Sequence, residues 1–360
     1  MQTFRVLVIN PGSTSTKVSV FEASGCNEIT EVFTDVLRHP DEDLKPFTKI
    51  TDQYEWRRDV ILNALDSHNV APDSLSAIVG RGGLLLPMAG GTYSVNDLMV
   101  EHLKAGIQGE HASNLGGLIA DSIAKDIGIP SYIVDPVVVD EMWDYARLSG
   151  HPKIERRSIF HALNQKACAR KVAADMGKRY DKLNLIVVHL GGGISVGAHR
   201  KGKVVDVNNA LNGDGPYTPQ RSGGLPAYDL ASLCYSGDYT ISDIKKMLKG
   251  EGGVKAYLGN SDIRDICARI EKGDKQSELI FKGMAYQVSK EIGACAAALS
   301  GDVDGIVLTG GVAYSELFVG LIKSHVSFIA EIFVLPGEAE MEALASGGFR
   351  VLSGEEEPQI

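Results

Sequence analysis

Two stretches half a chain apart repeat one hydrophobic pattern. Residues 6–21 and 185–198 each contain an apolar run, a tight turn of glycine and hydroxyl residues, and a second run in which apolar and polar positions alternate. Two strands joined by such a turn form a β-hairpin, and its repetition predicts a duplicated domain. Turns so rich in small residues also let backbone N–H groups approach a polyanion, so a nucleotide is the first ligand to consider.

The rest of the pattern predicts an α/β protein of two duplicated lobes, each a mixed sheet flanked by helices. In the first half the predicted strands are 4–10, 16–22, 29–37, 76–80 and 131–134, and the predicted helices are 53–68, 95–106 and 113–127. In the second half we predict strands at 184–190, 194–200, 203–209 and 305–308, and helices at 276–300 and about 338–352. The predicted domains are 1–150, with a returning C-terminal helix at about 345–360, and 151–344.

Length, composition and charge fit two ordinary globular domains. The chain has 360 residues, 44% hydrophobic and 23% charged, and single cores rarely grow to that size. A net charge of −10 argues against nucleic acid or anionic membrane as the main partner. Neither a secretory signal nor a membrane-spanning apolar run is visible, so we expect a cytoplasmic protein. The scattered cysteines predict reduced thiols rather than disulfides or zinc: Cys26, Cys168, Cys234, Cys267 and Cys295.

The first turn does not fit a P-loop, which opens a helix. Residue 16 is threonine, Val18 follows Lys17, and the next segment reads as a strand. Two interpretations remain for the turns at Gly12 and at glycines 191–193: contact with phosphate, or merely tight hairpins. Three consecutive glycines exceed what a two-residue turn requires, and each costs backbone entropy on ordering, which favours phosphate contact.

Seven short motifs, in the same order along the chain, closely resemble those of the acetokinase family. They are the first hairpin and the segments 80–83, 135–136, 160–164, 189–193, 221–223 and 309–313. The resemblance implies the fold shared by acetate kinase, hexokinase, heat-shock protein and actin (actin-like ATPase, ribonuclease H-like), with ATP in the cleft. It also implies a reversible transfer of the ATP γ-phosphoryl group to the carboxylate of butyrate, giving butyryl phosphate and ADP, with Mg²⁺.

The obstacle in such a reaction is electrostatic, because a carboxylate is already ionised at neutral pH. Bringing it to about 4 Å from another negative charge costs on the order of 4 kcal/mol at an effective dielectric near 20. Fixed cations, a metal and in-line positioning are therefore the expected apparatus. The residues alone favour solvated or ion-paired surface positions for Arg81 and Arg221. They also favour a hydrogen-bonded core histidine at His161, on a helix with Phe160 and Leu163. Asp135 could simply cap the next turn.

The resemblance gives these candidates roles. The implied catalytic residues are Arg81 as a substrate clamp with its fork free, Arg221 and His161 as donors to the phosphoryl group, and Asp135 as organiser of magnesium and the attacking group. The implied metal positions are Asn10, Asp135 and Glu340, with Glu342 left open as an alternative to Glu340. The implied nucleotide residues are Asn10, Ser13, Ser15, Lys17, His189, Leu190, Gly191, Gly192, Gly193, Asp262, Ile263, Arg264, Gly310, Gly311, Val312 and Ala313. The implied acid-binding residues are Arg81, Gly83, His111, Phe160 and Pro219. Asp262 can alternatively be a first-turn helix residue stabilised by the dipole.

Two departures from acetate kinases bear on specificity. Gly192 stands in place of their asparagine, and Gly83 in place of their valine, which we expect to make room for a longer acyl tail. One methylene discriminates by only about 1–3 kcal/mol, so the preference should be graded. A branched-chain, propionate or acetate kinase remains an alternative, and a nucleotide-dependent switch of the actin type is the alternative from another class. The expected partners are the small acid, the nucleotide and further copies of the chain in a homodimer or higher homo-oligomer.

Overall fold

The computed structural model describes residues 3–24 and 29–360, so Cys26 lies outside the described residues. The chain forms two compact units, one of residues up to 139 together with 339–360, and one of residues 140–338. The predicted boundaries at 150 and 344 stay predictions. Among helices in the described ranges, none combines the length and the apolar character needed to cross a membrane.

The first unit is built on a six-stranded mixed sheet. Its strands are β1 (Thr3–Pro11), β2 (Ser15–Ser24), β3 (Ile29–Arg38), β4 (Ala77–Arg81), β5 (Thr92–Ser94) and β6 (Ser131–Val134), in the spatial order β3-β2-β1-β4-β6-β5. The first three form the predicted antiparallel meander, and β4 and β6 run parallel to β1. The sequence pattern does not predict β5, because three residues are too few to show an alternation.

Four helices of the described residues precede the last one of this unit: α1 (Asp41–Leu44), α2 (Tyr54–Ser67), α3 (Asp97–Ala105) and α4 (Asn114–Ile127). Helices α2, α3 and α4 cover one face of the sheet, whereas α1 has no buried residue. Alternate residues of β1, Leu7 and Ile9, are buried with Ile61 of α2 and with Leu115 and Ile119 of α4. Burying each such side chain contributes about 1.5–3 kcal/mol, so this core fixes the strand ends that carry the predicted site residues.

The second unit repeats the topology of the first. A separate hairpin is formed by β7 (Leu148–His151) and β8 (Ile154–Glu155). The main sheet contains β9 (Asn184–Leu190), β10 (Ile194–Arg200), β11 (Lys203–Val207), β12 (Gly305–Gly310) and β13 (Ile332–Pro336), in the order β11-β10-β9-β12-β13. Again three strands form an antiparallel meander and the next two run parallel to the first, as expected of a duplicated α/β domain.

Helices cover both faces of the second sheet. The helices of the second unit are α5 (Ala162–Asp175), α6 (Ala227–Cys234), α7 (Ile241–Leu248), α8 (Val254–Leu258), α9 (Ile263–Glu271), α10 (Lys275–Ala298) and α11 (Glu316–Val326). On one face Val188 belongs to a core with Met284 of α10, and on the other Val187 belongs to a core with Val172 of α5. Every residue of β9 is therefore buried, which is typical of a strand covered on both faces.

The last helix, α12 (Glu340–Leu352), packs on β1 and β4 of the first unit. Its glycines allow a close approach: a Cβ at Gly348 would lie 2.8 Å from Cγ2 of Val79 and 3.5 Å from Cγ1 of Val6. Because Val6 alternates with Leu7, α12 covers the face of β1 opposite to α2 and α4. The helix begins at Glu340, so its first carboxylate comes to the carboxyl end of β1.

Candidate active site

The predicted site residues gather at the carboxyl ends of parallel strands in both units. In the first unit, Asn10 lies at the end of β1, Arg81 ends β4, and Asp135 follows β6. In the second unit, Leu190 ends β9 and Gly310 ends β12. The carboxyl ends of parallel strands meet at one edge of a sheet, and that edge is the usual ligand side of an open α/β sheet.

Arg81, Asn10 and Glu340 form a hydrogen-bonded group. Arg81 Nη1 donates to Glu340 Oε2 at 2.7 Å and to Asn10 Oδ1 at 3.2 Å, and Asn10 Nδ2 donates to the same Oε2 at 2.9 Å. The expectation of a free fork is therefore wrong in part, because α12 begins beside β1 and β4 and supplies a carboxylate. Nε and Nη2 have no acceptor among the described residues, so one edge of the guanidinium can still hold a substrate carboxylate through two bonds.

The predicted metal positions offer oxygen donors of the kind magnesium prefers. Of the two candidate glutamates, Glu340 contacts Asn10 while Glu342 is exposed. In residues 3–24 and 29–360, no group of three or more His, Cys, Asp or Glu side chains is arranged to hold a metal. Magnesium is commonly held by one or two carboxylates, water and substrate phosphates, so the donors fit an ion that arrives with the nucleotide.

Asp135 has an unusual backbone conformation directly after β6. Its φ is 37°, in the left-handed region that costs a non-glycine residue roughly 1–2 kcal/mol. The side chain is buried, and Oδ1 accepts the N–H of Gly91 at 2.8 Å, while Asp135 N donates to Gly91 O at 3.0 Å. A buried carboxylate held in a strained conformation is typical of a functional position.

The turn between β1 and β2 is held from inside by Arg57, which the sequence pattern does not single out. The residue is fully buried, and its guanidinium donates to the backbone oxygens of Gly12 (2.7 Å), Ser13 (2.9 Å) and Ser15 (3.2 Å). Nη2 also donates to Gln53 Oε1 at 2.7 Å. Desolvation lowers the pKa of Arg57 to about 10, which leaves it charged at neutral pH, and no carboxylate of the described residues pairs with it.

The other first-unit candidates lie at the same edge with little burial. Lys17 pairs with Asn10 in the register of β1 and β2, so both side chains lie on one face, and Lys17 is exposed. Ser13 is also exposed and Ser15 is half-buried. His111 is exposed before α4, and its Nδ1 accepts the Ser113 N–H at 3.2 Å.

The missing side chain of Gly83 does not leave open space. A Cβ there would lie 2.6 Å from Asn114 Cα and 2.7 Å from Leu103 Cδ2, so α3 and α4 already fill that direction. The expectation that this glycine makes room for a longer acyl tail is therefore not met at this position. Contact between Gly83 and the acid stays a prediction, and its absent side chain has a packing reason of its own.

Arg221 lies against the glycine turn after β9. A Cβ at Gly193 would overlap the Arg221 guanidinium, so the third glycine leaves the space that the arginine occupies. Thr218 Oγ1 donates to Gly192 O at 2.6 Å and accepts the Arg221 N–H at 3.0 Å, which ties the arginine's loop to the turn. Nη1 of Arg221 donates to Ala210 O, and burial lowers its pKa. The sequence pattern does not single out Thr218.

His161 is the N-cap of α5, not a residue within the helix as expected. Its φ of −81° and ψ of 63° are not helical, and α5 begins one residue later at Ala162. Phe160 is buried ahead of the helix, so the apolar spacing of Phe160 and Leu163 crosses the helix start without marking it. This turn places the His161 ring face to face with that of His189, with centroids 3.7 Å apart and planes 10° apart.

His189, in β9, is an uncharged histidine at neutral pH. Burial, together with the positive charge of Arg221, lowers its pKa to about 4. Its Nδ1 lies 2.7 Å from Asn164 Oδ1, and Asn164 Nδ2 donates to Glu338 O at 3.0 Å. His189 therefore presents a dipole, not a cation, beside the glycine turn.

Two other segments predicted to bind the nucleotide lie near the glycine turn and near the loop of Arg221. Gly310 has a φ of 89°, and a Cβ there would collide with the Leu190 backbone, so the ends of β12 and β9 touch. Gly311 begins a 3₁₀ turn whose Val312 and Ala313 are buried. Near the arginine loop, Gln220 Nε2 donates to Ser261 Oγ at 3.2 Å, one residue before Asp262.

Local interactions account for the side chains of the Asp262 segment. Asp262 is the N-cap of α9, and its Oδ1 accepts the Arg264 N–H at 2.9 Å. The Arg264 guanidinium lowers the Asp262 pKa to about 2, and Ile263 is the first residue of the helix.

The acid-binding candidates Phe160 and Pro219 are both buried, and Pro219 O accepts the Lys255 N–H at 3.0 Å.

Comparison with known proteins decides the family. The model of the acetokinase family matches residues 148–330. Two proteins named "Probable butyrate kinase", from Clostridium botulinum strains Alaska E43 and Eklund 17B, are each 55% identical over 357 residues, covering 99% of this chain and 99% of their own. The chain belongs to the acetokinase family. The reaction of that family is ATP-dependent phosphorylation of a carboxylate.

Solved structures of acetokinase-family enzymes share this fold. Acetate kinase from Porphyromonas gingivalis aligns with a TM-score of 0.75 at 20% identity, covering 97% of this chain and 100% of that one. A propionate kinase from Francisella tularensis aligns with a TM-score of 0.71 at 19% identity, covering 96% and 98%. The predicted actin-like ATPase fold is thereby confirmed.

Proposed function

We propose that this acetokinase-family enzyme transfers the γ-phosphoryl group of ATP to butyrate, reversibly, to give butyryl phosphate and ADP. The choice of acid is supported by the 55% identity, over nearly the whole chain, to proteins named probable butyrate kinases. The observation that carries phosphoryl transfer is the Arg221 guanidinium packed against Gly193, because it puts a fixed cation at a turn of backbone N–H groups.

In the first unit, Arg81 holds the acid. Its Nε and Nη2 donate to the two carboxylate oxygens, while Nη1 stays on Glu340 and Asn10, so the guanidinium cannot rotate away. A carboxylate so oriented is already the nucleophile and needs no base. Magnesium, when bound with ATP, supplies positive charge to the phosphates, and Asn10, Asp135 and Glu340 would hold it, in part through water.

In the second unit, the turn of Gly191, Gly192 and Gly193 receives the phosphates, and Arg221 donates to the transferring group. A cation fixed in this way stabilises charge that develops on the phosphoryl oxygens without reorganising during the reaction. A phosphoryl-transfer arginine is worth roughly 10³ to 10⁵ in turnover. His161 adds a hydrogen-bond donor beside this turn.

The cytoplasmic location, the magnesium requirement and a homodimer or higher homo-oligomer belong to the same proposal. Their support is the family resemblance, the acidic charge and the scattered cysteines.

Trapping acyl phosphate as a hydroxamate tests the function directly. Purified protein is given ATP, magnesium and, in separate reactions, acetate, propionate, butyrate, isobutyrate and valerate. We expect hydroxamate with a graded kcat/KM that favours butyrate, isobutyrate and valerate over acetate, because each methylene is worth only about 1–3 kcal/mol. A higher kcat/KM for acetate than for butyrate would overturn the choice of acid. ATP hydrolysis that yields no hydroxamate with any acid would instead favour a nucleotide-dependent switch.

A further inference from the structure

We propose that Ser195 and Gln165 are positioning residues that hold His161 in the tautomer whose proton is on Nε2. The inference rests on the proposed function, in which His161 donates from Nε2 to an oxygen of the transferring phosphoryl group. It concerns residues that neither touch substrate nor belong to the motifs of the glycine turn. Their effect on the reaction passes through the His161 ring.

The hydroxyl of Ser195 has only one direction left for its proton. Its Oγ lies 2.8 Å from Gln165 Nε2 and 3.5 Å from the His161 backbone N, and both of those groups can only donate. A hydroxyl accepts two hydrogen bonds and donates one, so both acceptor positions are filled. The remaining neighbour is His161 Nδ1, at 2.9 Å, which must therefore accept. A neutral imidazole that accepts at Nδ1 carries its proton on Nε2.

The amide of Gln165 cannot be turned the other way. Its Nε2 donates to the Ser195 backbone oxygen at 3.0 Å as well as to Oγ, and a carbonyl oxygen can only accept. Exchanging the amide nitrogen and oxygen would set two oxygens against each other in a site that is fully buried. The direction of the hydrogen bonds at Ser195 is thus fixed by the backbone of β10.

The hydrogen bonds on the other side of Gln165, away from Ser195, run in the same donor-to-acceptor direction. Its Oε1 lies 2.9 Å from His199 Nε2, which must donate, and His199 Nδ1 lies 2.7 Å from the Tyr180 hydroxyl. When the His199 ring is neutral, its Nδ1 accepts and Tyr180 donates. From Tyr180 to His161 every donor faces an acceptor, and hydrogen bonds in series polarise one another. Gln165, Ser195 and His199 are all fully buried, which protects the series from water.

His189, stacked on His161, is held in the opposite tautomer. Asn164 Nδ2 donates to Glu338 O at 3.0 Å, so its Oδ1 accepts from His189 Nδ1 at 2.7 Å. Neutral His189 therefore presents a lone pair at Nε2, while His161 presents an N–H there. Two adjacent imidazoles thus have different uses: His161 can donate to a phosphoryl oxygen, and neutral His189 cannot do so from Nε2.

Nitrogen NMR of the full chain measures the tautomers without any assay of activity. With ¹⁵N in the histidine rings, long-range proton–nitrogen spectra should show His161 protonated on Nε2 and His189 on Nδ1, each assigned by a His→Gln variant. Ser195→Ala should convert His161 to a mixture of tautomers. We expect kcat for butyrate to fall about 10- to 100-fold with KM nearly unchanged, because a donor used in the transition state is lost.

Ser289→Ala is the matched control, since it removes another buried hydroxyl, one that donates to Ala285 O within α10. It should leave both the His161 spectrum and kcat unchanged. Gln165→Leu is a second variant with the same expected direction as Ser195→Ala, in case one of them fails to fold. His161 protonated on Nδ1 in the wild type, or an unchanged spectrum and kcat in the folded variants, would overturn the proposal. If the hydroxamate assay gave no product with any acid, the proposed function would be refuted, but the tautomers measured by NMR would not be affected.

Discussion

Arg57 is a buried cation whose partners are dipoles. Taking a charged side chain out of water carries an effective penalty of several kcal/mol, and a carboxylate partner usually offsets it. Here the offset comes from the inward-turned carbonyl oxygens of Gly12, Ser13 and Ser15 and from the Gln53 amide. Among the described residues no carboxylate pairs with the guanidinium, so its positive charge favours an anion on the outer side of the turn.

Two substitutions of Arg57 together distinguish the contribution of its charge from that of its hydrogen bonds. Arg57→Met should lower the free energy of unfolding by about 3 kcal/mol or more, because several buried oxygens lose their donor. Arg57→Lys should lose less, since an ammonium keeps the charge and satisfies some of them, and its KM for ATP should rise less than that of Arg57→Met. Urea unfolding and initial-rate kinetics measure both effects.

The adjacent Arg58 on α2 gives the control for that comparison. Its side chain is part-exposed and paired with Asp59 and Asp126 at the surface, where ion pairs contribute only about 0–1 kcal/mol. Arg58→Met should therefore shift the urea midpoint little and leave KM for ATP unchanged. Equal losses in the Met variants at 57 and 58 would show that the turn does not depend on the buried guanidinium.

Helix α4 approaches β4 more closely than side chains would allow. A Cβ at Gly116 would lie 2.8 Å from Arg81 N and closer still to Arg81 O, and a Cβ at Gly80 would meet the Gly116 backbone. The helix thus rests directly on the strand residue whose guanidinium is the proposed clamp. Because the obstructing atoms belong to the backbone, a larger residue cannot be accommodated by a rotamer change.

Gly116→Ala should therefore push α4 away from the end of β4. We expect a loss of roughly 1–3 kcal/mol in unfolding free energy and a higher KM for butyrate, since Arg81 moves with its strand. Gly320→Ala, in α11, is the control: no atom lies within 4 Å of a Cβ there, and alanine should stabilise the helix by up to about 1 kcal/mol. A thermal scan and butyrate kinetics compare the two, and a Gly116→Ala protein as stable as the Gly320→Ala protein would refute this packing argument.

Most of the correctly predicted elements have a long hydrophobic period, whereas β13, an apolar run of five residues, is not predicted. Both hairpins, the strands at 77–81 and 131–134, and helices α2, α4 and α10 lie within a few residues of their predicted positions. Strand β5 is too short to show a period. The sequence does not reveal the start of α5, because buried Phe160 continues the helical spacing across a break at His161.

Within the site, the sequence predicted which segments contribute but not how side chains pair. Arg57 reads as a solvated residue of an amphipathic helix, and its burial depends on a turn more than 40 residues away that only the tertiary fold brings near. The same limit applies to Glu340, whose preference over Glu342 depends on where α12 begins relative to β1. Pairings of this kind follow from the packing of distant elements, which local periodicity does not encode.

At the scale of the whole chain, each unit contains a buried histidine whose pKa is strongly lowered, and one tryptophan. In the first unit His39 is buried, its Nε2 lies 2.8 Å from Thr16 Oγ1, and its ring meets Trp56 edge-on. Desolvation and the nearby charge of Arg57 lower the His39 pKa to about 4. The second unit contains His189, with a pKa also lowered to about 4, and Trp143. The tryptophans are therefore separate reporters of the two units.

These histidines should make both units lose stability in mild acid. In the unfolded chain each protonates near pH 6.5, but in the folded unit only near pH 4, so stability is complete above pH 6.5 and falls as the pH drops from 6.5 toward 4. For His189, the lowered pKa corresponds to a loss of about 3 kcal/mol in the free energy of unfolding. Urea unfolding at pH 7.5, 6 and 5, followed in Trp56→Phe and Trp143→Phe proteins, should show a falling midpoint in each unit. His39→Gln should make the urea midpoint reported by Trp56 depend less on pH, and His189→Gln should do the same for the midpoint reported by Trp143. The control His325→Gln, at an exposed histidine, should change neither midpoint. If both midpoints still fall as steeply in the His39 and His189 variants, other groups cause the acid sensitivity.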